Sequence, residues 1–193
     1  MNLLHRWYCQ SSAWKTRLET EILPWSLDGI ELGDDVLELG PGPGLTTDWL
    51  RHRCRALTCI EVDAASAHSL SRRMENTNVR VQNCDASALP FQDCRFSAVV
   101  AFTMLHHVPS RAQQDELFGE TLRVLKPGGV FAGTDSVSSL MMRIAHLGDT
   151  MNLVDPMTLS GRLERVGFAD VVVEANASRF RFAARRPSQA ATS

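Results

Sequence analysis

Three glycines at alternating positions, Gly40, Gly42 and Gly44, interleave with Pro41 and Pro43 and follow an acid, Glu38, in the stretch VLELGPGPGLTTDWL (36–50). Glycine in a strand-to-helix turn lets the backbone approach a ligand closely and aims helix N–H groups at it. The spacing narrows the ligand. A dinucleotide fingerprint counted from Gly40 needs glycine at position 45, where Leu45 stands, and a P-loop needs a lysine that is missing here. Two prolines also remove N–H donors that a pyrophosphate would use. The loop reads as a ligand-binding turn that avoids pyrophosphate, against the plainer alternative of an unoccupied tight connection.

Other chemistry-bearing residues recur at the ends of apolar runs. Glu61, 21 residues after Gly40, closes the second run, where a carboxylate can accept both hydroxyls of a ribose. Asp85, in NCDA, closes the third and can accept an adenine amino group, while Asp63 fits better as a helix cap. Taken singly, each such acid is more often a cap or a loop carboxylate. Three features at the ends of three neighbouring strands point to one site. His106 and His107 follow the fourth run and are the base candidates for an acceptor that must lose a proton. Packing beneath the loop is the alternative for both, with His107 the more structural of the two. Asp135 could share a metal with Asp149 or Asp155, but without a tight carboxylate cluster no metal is expected.

The elements that must position these residues alternate in type. Residues 3–27 carry Leu3, Leu4, Trp7, Trp14, Leu18, Ile22 and Trp25 at helical spacing, ending near Pro24. Strands are expected at DDVLELG, ALTCIEVD, VRVQNCD, SAVVAF and VFAGTD, with helices over 45–53, 64–75 and 110–125. SAVVAF, the most continuous apolar run, reads as a central strand buried on both faces. Ser110 and Gln113 make a capping box, and KPGG (126–129) reads as a turn. Residues 138–147 look helical. Asp155 and Pro156 open a further helix that Gly167 ends. ADVVVEA and RFRFAAR then form an antiparallel hairpin around NAS. Alternating strands and helices imply an open parallel α/β sheet with right-handed crossovers.

The 193-residue chain has 20 basic and 22 acidic residues, a net charge of −2, so no global basic field suggests nucleic acid. The arginines at 179, 181, 185 and 186 read as a solvated strand edge rather than a binding patch. Five scattered cysteines without a C-x-x-C pair suggest reduced thiols, and no apolar run approaches membrane-spanning length; a cytoplasmic location is expected.

The series VLELGPGPG, CIEVD, CDASALPF, FSAVVAFTMLHHV and LRVLKPGGVFA resembles the class I S-adenosylmethionine-dependent methyltransferases, closest to the small-molecule branch of ubiquinone and menaquinone type. The resemblance spans roughly residues 34–186 and implies a Rossmann-like seven-stranded open sheet of order 3-2-1-4-5-7-6. Strand seven would be antiparallel, with helices on both faces. Residues 1–30 would form an N-terminal helical cap, 31–187 the methyltransferase domain and 188–193 a flexible tail. By the same resemblance Gly40, Pro41, Gly42 and Gly44 pass beneath the methionyl part of S-adenosylmethionine, with Glu38 near its amino group. Glu61 and Val62 lie at the ribose, Asp85 and Ala86 at the adenine, and Phe102 near the sulfonium. Ser97 replaces the aspartate common in the family at that point, which is expected to alter a local turn only.

The acceptor pocket would come from the N-terminal helix, where Tyr8 and Trp14 offer a lid or ordinary core, and from residues 136–157. Met141, Met142, His146, Met151, Asn152 and Met157 in that segment suggest an apolar or aromatic small-molecule acceptor. The segment is short, so the site is open or completed by a second copy of the chain. Two other classes stand against this reading. One is a catalytically silent protein that binds S-adenosylmethionine or S-adenosylhomocysteine. The other, an NAD(P) oxidoreductase, is opposed by the missing third glycine and by the absence of a Tyr-x-x-x-Lys pair.

Overall fold

The structure is a computed structural model that describes residues 12–137 and 151–188. Helix α1 (Ser12–Arg17) runs through a π-helical turn (Leu18–Ile22) into α2 (Leu23–Ser26), with Pro24 in the first turn of α2 where its missing N–H is harmless. Then come β1 (Asp35–Leu39), α3 (Leu45–Leu50), β2 (Ala56–Glu61), α4 (Ala64–Arg73), β3 (Val79–Asn83) and β4 (Phe96–Phe102). A 3₁₀ turn (Leu105–His107) leads to α5 (Arg111–Val124), β5 (Leu125–Ser136), α6 (Pro156–Val166), β6 (Ala169–Ala175) and β7 (Arg179–Arg185).

The seven strands form one sheet in the order β3-β2-β1-β4-β5-β7-β6. β1 to β5 pair in parallel, and β7 runs antiparallel between β5 and β6. This is the order, with an antiparallel strand seven, that the resemblance implies. One face carries Val36, Leu57, Cys59, Val100 and Ala132 against Leu18 and Ile22 of the π-helical turn and Leu23, Leu50 and Leu70 of α2, α3 and α4. The other carries Leu37, Leu39, Val99 and Phe131 against Leu117, Phe118, Leu159 and Leu163 of α5 and α6. Strands buried on both faces explain why β4 reads as an unbroken apolar run.

The predicted caps hold. Asp63 accepts from Ser66 N–H at 2.8 Å, Ser110 from Gln113 N–H at 3.2 Å and Asp155 from Met157 N–H at 2.9 Å. Gly167 ends α6 at φ 116°, with its N–H and that of Phe168 returning to the Leu163 carbonyl.

Two readings need correction. KPGG is not a turn ahead of the fifth strand. Phe96 pairs with Leu125 and Ala98 with Val130, so residues 126–129 bulge out within β5 while the pairing resumes on either side. Nor do the C-terminal arginines line a solvated edge, because β7 is an interior strand. Arg181 bonds Glu174 and the Trp25 carbonyl at 2.6 Å, and Arg186 Nη1 donates toward the carbonyls of Leu122, Arg123 and Leu125 at the end of α5. The expected helix over 138–147 and Cys9, Tyr8, Met141, Met142, His146 and Asp149 lie outside the described residues. Ser97 ties the start of β4 to the approach to β1, its hydroxyl 2.7 Å from Leu32 O and 3.1 Å from the Asp35 nitrogen.

Candidate active site

The carboxyl ends of β1, β2, β3 and β4 bring the sequence-predicted residues to one edge of the sheet. Between β1 and α3, Gly40, Gly42 and Gly44 take φ of 62°, 53° and 82°, a region that a side chain penalises. Their surroundings differ. A Cβ on Gly40 would press on Met104, and one on Gly44 would collide with Arg73 and Leu70. A Cβ on Gly42 would meet nothing, so Gly42 faces open space.

The donors of this loop are all spent internally. Gly40 N–H bonds Ile60 O at 2.8 Å, Gly42 N–H the Glu61 carboxylate at 3.0 Å and Gly44 N–H Pro41 O at 2.9 Å. Pro41 and Pro43 have no N–H to give. From residue 40 to 44 the turn therefore presents no free backbone donor.

Glu38 sits beneath this turn and is 1% exposed. The parallel register places it beside Cys59. Its carboxylate accepts from the hydroxyls of Thr46 and Thr47, the latter at 2.6 Å, and from the Cys59 thiol at 3.3 Å. Burial raises the Glu38 pKa above the usual carboxylate range, and these three donors pull the other way. Burial, then Glu38, push the Cys59 thiol up, leaving it a poor nucleophile. From above, Arg73 of α4 grips the turn. Its Nη1 bonds both oxygens of Asp48 at 2.7 and 2.8 Å, and its Nη2 the carbonyls of Pro43 and Gly44 at 2.9 and 3.1 Å.

Glu61 is 8% exposed and takes Gly42 N–H on one oxygen and Asp63 N–H on the other, both at 3.0 Å. Val62 beside it is 71% exposed. Asn83 secures this corner by donating to the carbonyls of Glu61 and Val62. Asp85 is exposed. One of its oxygens bonds the Ser87 N–H and hydroxyl, and the other takes no hydrogen bond among the described residues. Ala86 and Phe102 are buried. Directly after Phe102, Thr103 has φ 51°, a strained conformation for a β-branched residue, fixed by its N–H bond to Thr134 O.

His106 is buried, with Nδ1 2.5 Å from one oxygen of Asp135 and its backbone N–H 3.1 Å from the other. His107 is half-buried, its ring 4.1 Å from that of His106 between centroids. Asp135 is thus occupied by a histidine, and Asp155 by a helix N-terminus. Beneath the loop, Gln114 donates to the carbonyls of Leu105 and Asn152, and Arg162 donates to Gln114 and Asp115. Trp14 packs against the core on the α1 face.

Sequence reasoning missed Thr46, Thr47, Cys59, Arg73, Asn83 and Gln114. Only the paired threonines opening α3 left a readable sign, since such residues are poor helix formers unless their hydroxyls have work.

An open, mostly parallel sheet with an acid at the end of each of β2 and β3, and a glycine turn after β1, is the architecture of a nucleotide-binding α/β fold. The chain matches the methyltransferase-domain family over residues 37–133 and belongs to it, within the class I S-adenosylmethionine-dependent methyltransferases. It is 31% identical over 104 residues to a demethylmenaquinone methyltransferase of Tropheryma whipplei, covering 52% of this chain and 41% of that protein. Identity to a fatty-acid O-methyltransferase of Mycolicibacterium smegmatis is 35% over 106 residues, 54% of this chain and 38% of that one. The chain thus spans about two fifths of the length of these curated relatives. The crystal structure of the PH0226 protein from Pyrococcus horikoshii shares the fold, with a TM-score of 0.75 at 16% identity over 92% of this chain and 93% of that one. No helix among the described residues is long and apolar enough to cross a membrane.

Proposed function

We propose that this chain binds S-adenosylmethionine along the carboxyl edge of β1 to β4 and methylates a small, apolar acceptor. The observation that carries the reading is the donor-free turn from Gly40 to Gly44 beside two carboxylates. Such a turn suits a nucleoside bearing an amino acid and offers nothing to a pyrophosphate. The cofactor supplies a methyl group on a sulfonium, open to in-line displacement.

The chain's own residues hold and align. The open space at Gly42 and the backbone of Gly40, Pro41 and Gly44 receive the methionyl part. Each Glu61 oxygen has a lone pair left for a ribose hydroxyl. Val62 covers the sugar, and the spare oxygen of Asp85 with Ala86 receives the adenine. Phe102 and the strained Thr103 set the edge nearest the transferred methyl. Glu38, spent on Thr46, Thr47 and Cys59, acts through the shape of the turn. For an acceptor that must lose a proton, His106 or His107 takes it, and Asp135 fixes the tautomer of His106 by holding Nδ1. Alignment supplies much of the barrier reduction in such a transfer. The names of the two relatives, acting on a quinone precursor and a fatty acid, favour an apolar acceptor here.

Calorimetry with S-adenosylhomocysteine and with NAD tests the cofactor, and product formation across quinol, phenol and fatty-acid acceptors tests the transfer. Binding of S-adenosylhomocysteine alone, with a methylated product, is expected. Binding of NAD alone, or cofactor binding with no product from any acceptor, overturns the reading.

A further inference from the structure

The opposite edge of the sheet carries a second depression that methyl transfer does not use. It has a volume of about 380 Å³ and is lined by the amino ends of β1 to β4, including Asp35, Arg55, Thr58, Arg80, Arg95 and Phe96. Strands of five or six residues put it roughly 17–20 Å from the glycine turn. It exists because residues 84–95 cross from β3 to β4 without a helix, while α5 and α6 pack toward β5 and β6. That crossover packs on Ile60 of β2 and leaves β3 exposed at Arg80.

The charges around it do not cancel. Asp35 is matched by Arg55 at 3.3 Å and Lys126 at 3.3 Å, and Asp34 by Arg55 at 3.7 Å. Two acids and two bases are thereby neutralised. Arg80 and Arg95 have no carboxylate partner among the described residues. At positions 1–11, 138–150 and 189–193 the sequence has one carboxylate side chain, Asp149. Two positive charges remain, in a chain whose net charge is −2.

Two further features separate this place from an ordinary basic surface. Arg95 lies over Phe91 at 4.5 Å and Phe96 at 4.8 Å, so its guanidinium is held in place and its donors are pre-organised. Thr58, aligned with Arg80 in the β2–β3 register and only 6% exposed, lines the depression with a hydroxyl that bonds nothing among the described residues. That hydroxyl is open to the depression rather than sealed in the core, so it is available to a ligand. Asn78, also in the lining, donates its amide to the carbonyls of Arg51 and Cys54.

We propose that this depression binds a compact doubly charged oxyanion, of the phosphomonoester or dicarboxylate kind, between Arg80 and Arg95 with the Thr58 hydroxyl as third contact. The volume lies within the range of small-molecule sites. Bidentate arginine contacts select planar or tetrahedral oxyanions over chloride. The proposal is independent of the methyl-transfer reading.

Titration of the full chain with inorganic phosphate and with malonate, at fixed ionic strength set by chloride and followed by amide shifts and calorimetry, tests it. Saturation at one site by either dianion is expected, and which one saturates identifies the kind. Arg80→Gln together with Arg95→Gln should weaken that binding at least tenfold and Thr58→Val severalfold, with Arg165→Gln without effect. Thermal unfolding verifies that each variant is folded, and the exposed single variant Arg80→Gln gives a separate reading. Response to neither dianion beyond chloride, or undiminished binding in the double variant, overturns the proposal.

Discussion

Replacing Thr47 by valine deletes one hydroxyl and keeps the volume and branching of a fully buried side chain. That hydroxyl donates to Glu38 at 2.6 Å. A hydrogen bond to a charged group contributes about 1.5–3 kcal/mol, and one between neutral groups about 0.5–1.5. The cost therefore depends on whether Glu38 is ionised. Burial raises its pKa, so the folded chain holds a proton that the unfolded chain releases first. Stability falls as pH rises from the usual carboxylate range to the raised folded value, and it is level above that. Thr47→Val should cost the smaller amount at the acid end and the larger once Glu38 is charged. At roughly 2–4 °C per kcal/mol for a chain of this size, the Tm falls by about 3–12 °C at the alkaline end. The assay is thermal unfolding of wild type, Thr47→Val, Glu38→Gln and the double variant from pH 5 to 9. In the Glu38→Gln background the valine should cost only the neutral amount at every pH, a coupling of about 1–2 kcal/mol. Equal cost in both backgrounds, flat with pH, refutes an ionisable Glu38 as the anchor of the turn.

Arg73→Met frees the carbonyls of Pro43 and Gly44. Because its pair with Asp48 is partly exposed, little global stability is lost, but S-adenosylhomocysteine affinity by calorimetry should fall about 5–10-fold, and unchanged affinity rejects the clamp. Asp135→Asn leaves a neutral partner at His106 Nδ1. It should lower kcat at least tenfold for acceptors that lose a proton and leave KM for the cofactor unchanged; undiminished turnover after replacement of both His106 and His107 ends the base assignment. Hydrogen bonding to Arg123 holds the Glu120 carboxyl below its usual range, so its stabilisation is present above the unfolded pKa and is lost as pH falls toward the lowered folded value. Glu120→Gln should flatten that acid limb in pH-dependent unfolding, and a limb of unchanged steepness counts against it.

Much of this fold is legible in the sequence because each element carries its own signal. Apolar runs mark strands buried on both faces, and Asp63, Ser110, Asp155 and Gly167 punctuate the helices where local chemistry requires. What stayed hidden depends on register between distant segments. Proline and glycine at 126–129 serve a turn and a bulge equally, and only the pairing of Phe96 with Leu125 distinguishes them. The resemblance placed β7 between β5 and β6, but the alternation of RFRF does not say that this position brings Arg181 to Trp25. Glu38 meets Cys59, and Asp135 meets His106, because β1 aligns with β2 and β4 with β5. The glycine turn was legible as a loop, whereas the residues that hold it from beneath and above were not.

The loop after β4 shows why those hidden contacts matter to function. Arg162 is 3% exposed, and burying a charge is unfavourable unless each donor finds a partner. Here Asp115, Gln114 and the Arg111 carbonyl receive the guanidinium, which lies 5.1 Å from the Phe118 ring centre. The Gln114 amide carries the network on to the carbonyls of Leu105 and Asn152, and Asn152 N–H returns to the His106 carbonyl at 2.8 Å. His106 is thus fixed by two separate segments, through its ring and its N–H by Asp135 of β5 and through its carbonyl by Asn152. An apolar core could fill the same volume, but it would not specify where a backbone carbonyl points. A polar network does so, and it sets the path of the loop beside the proposed site.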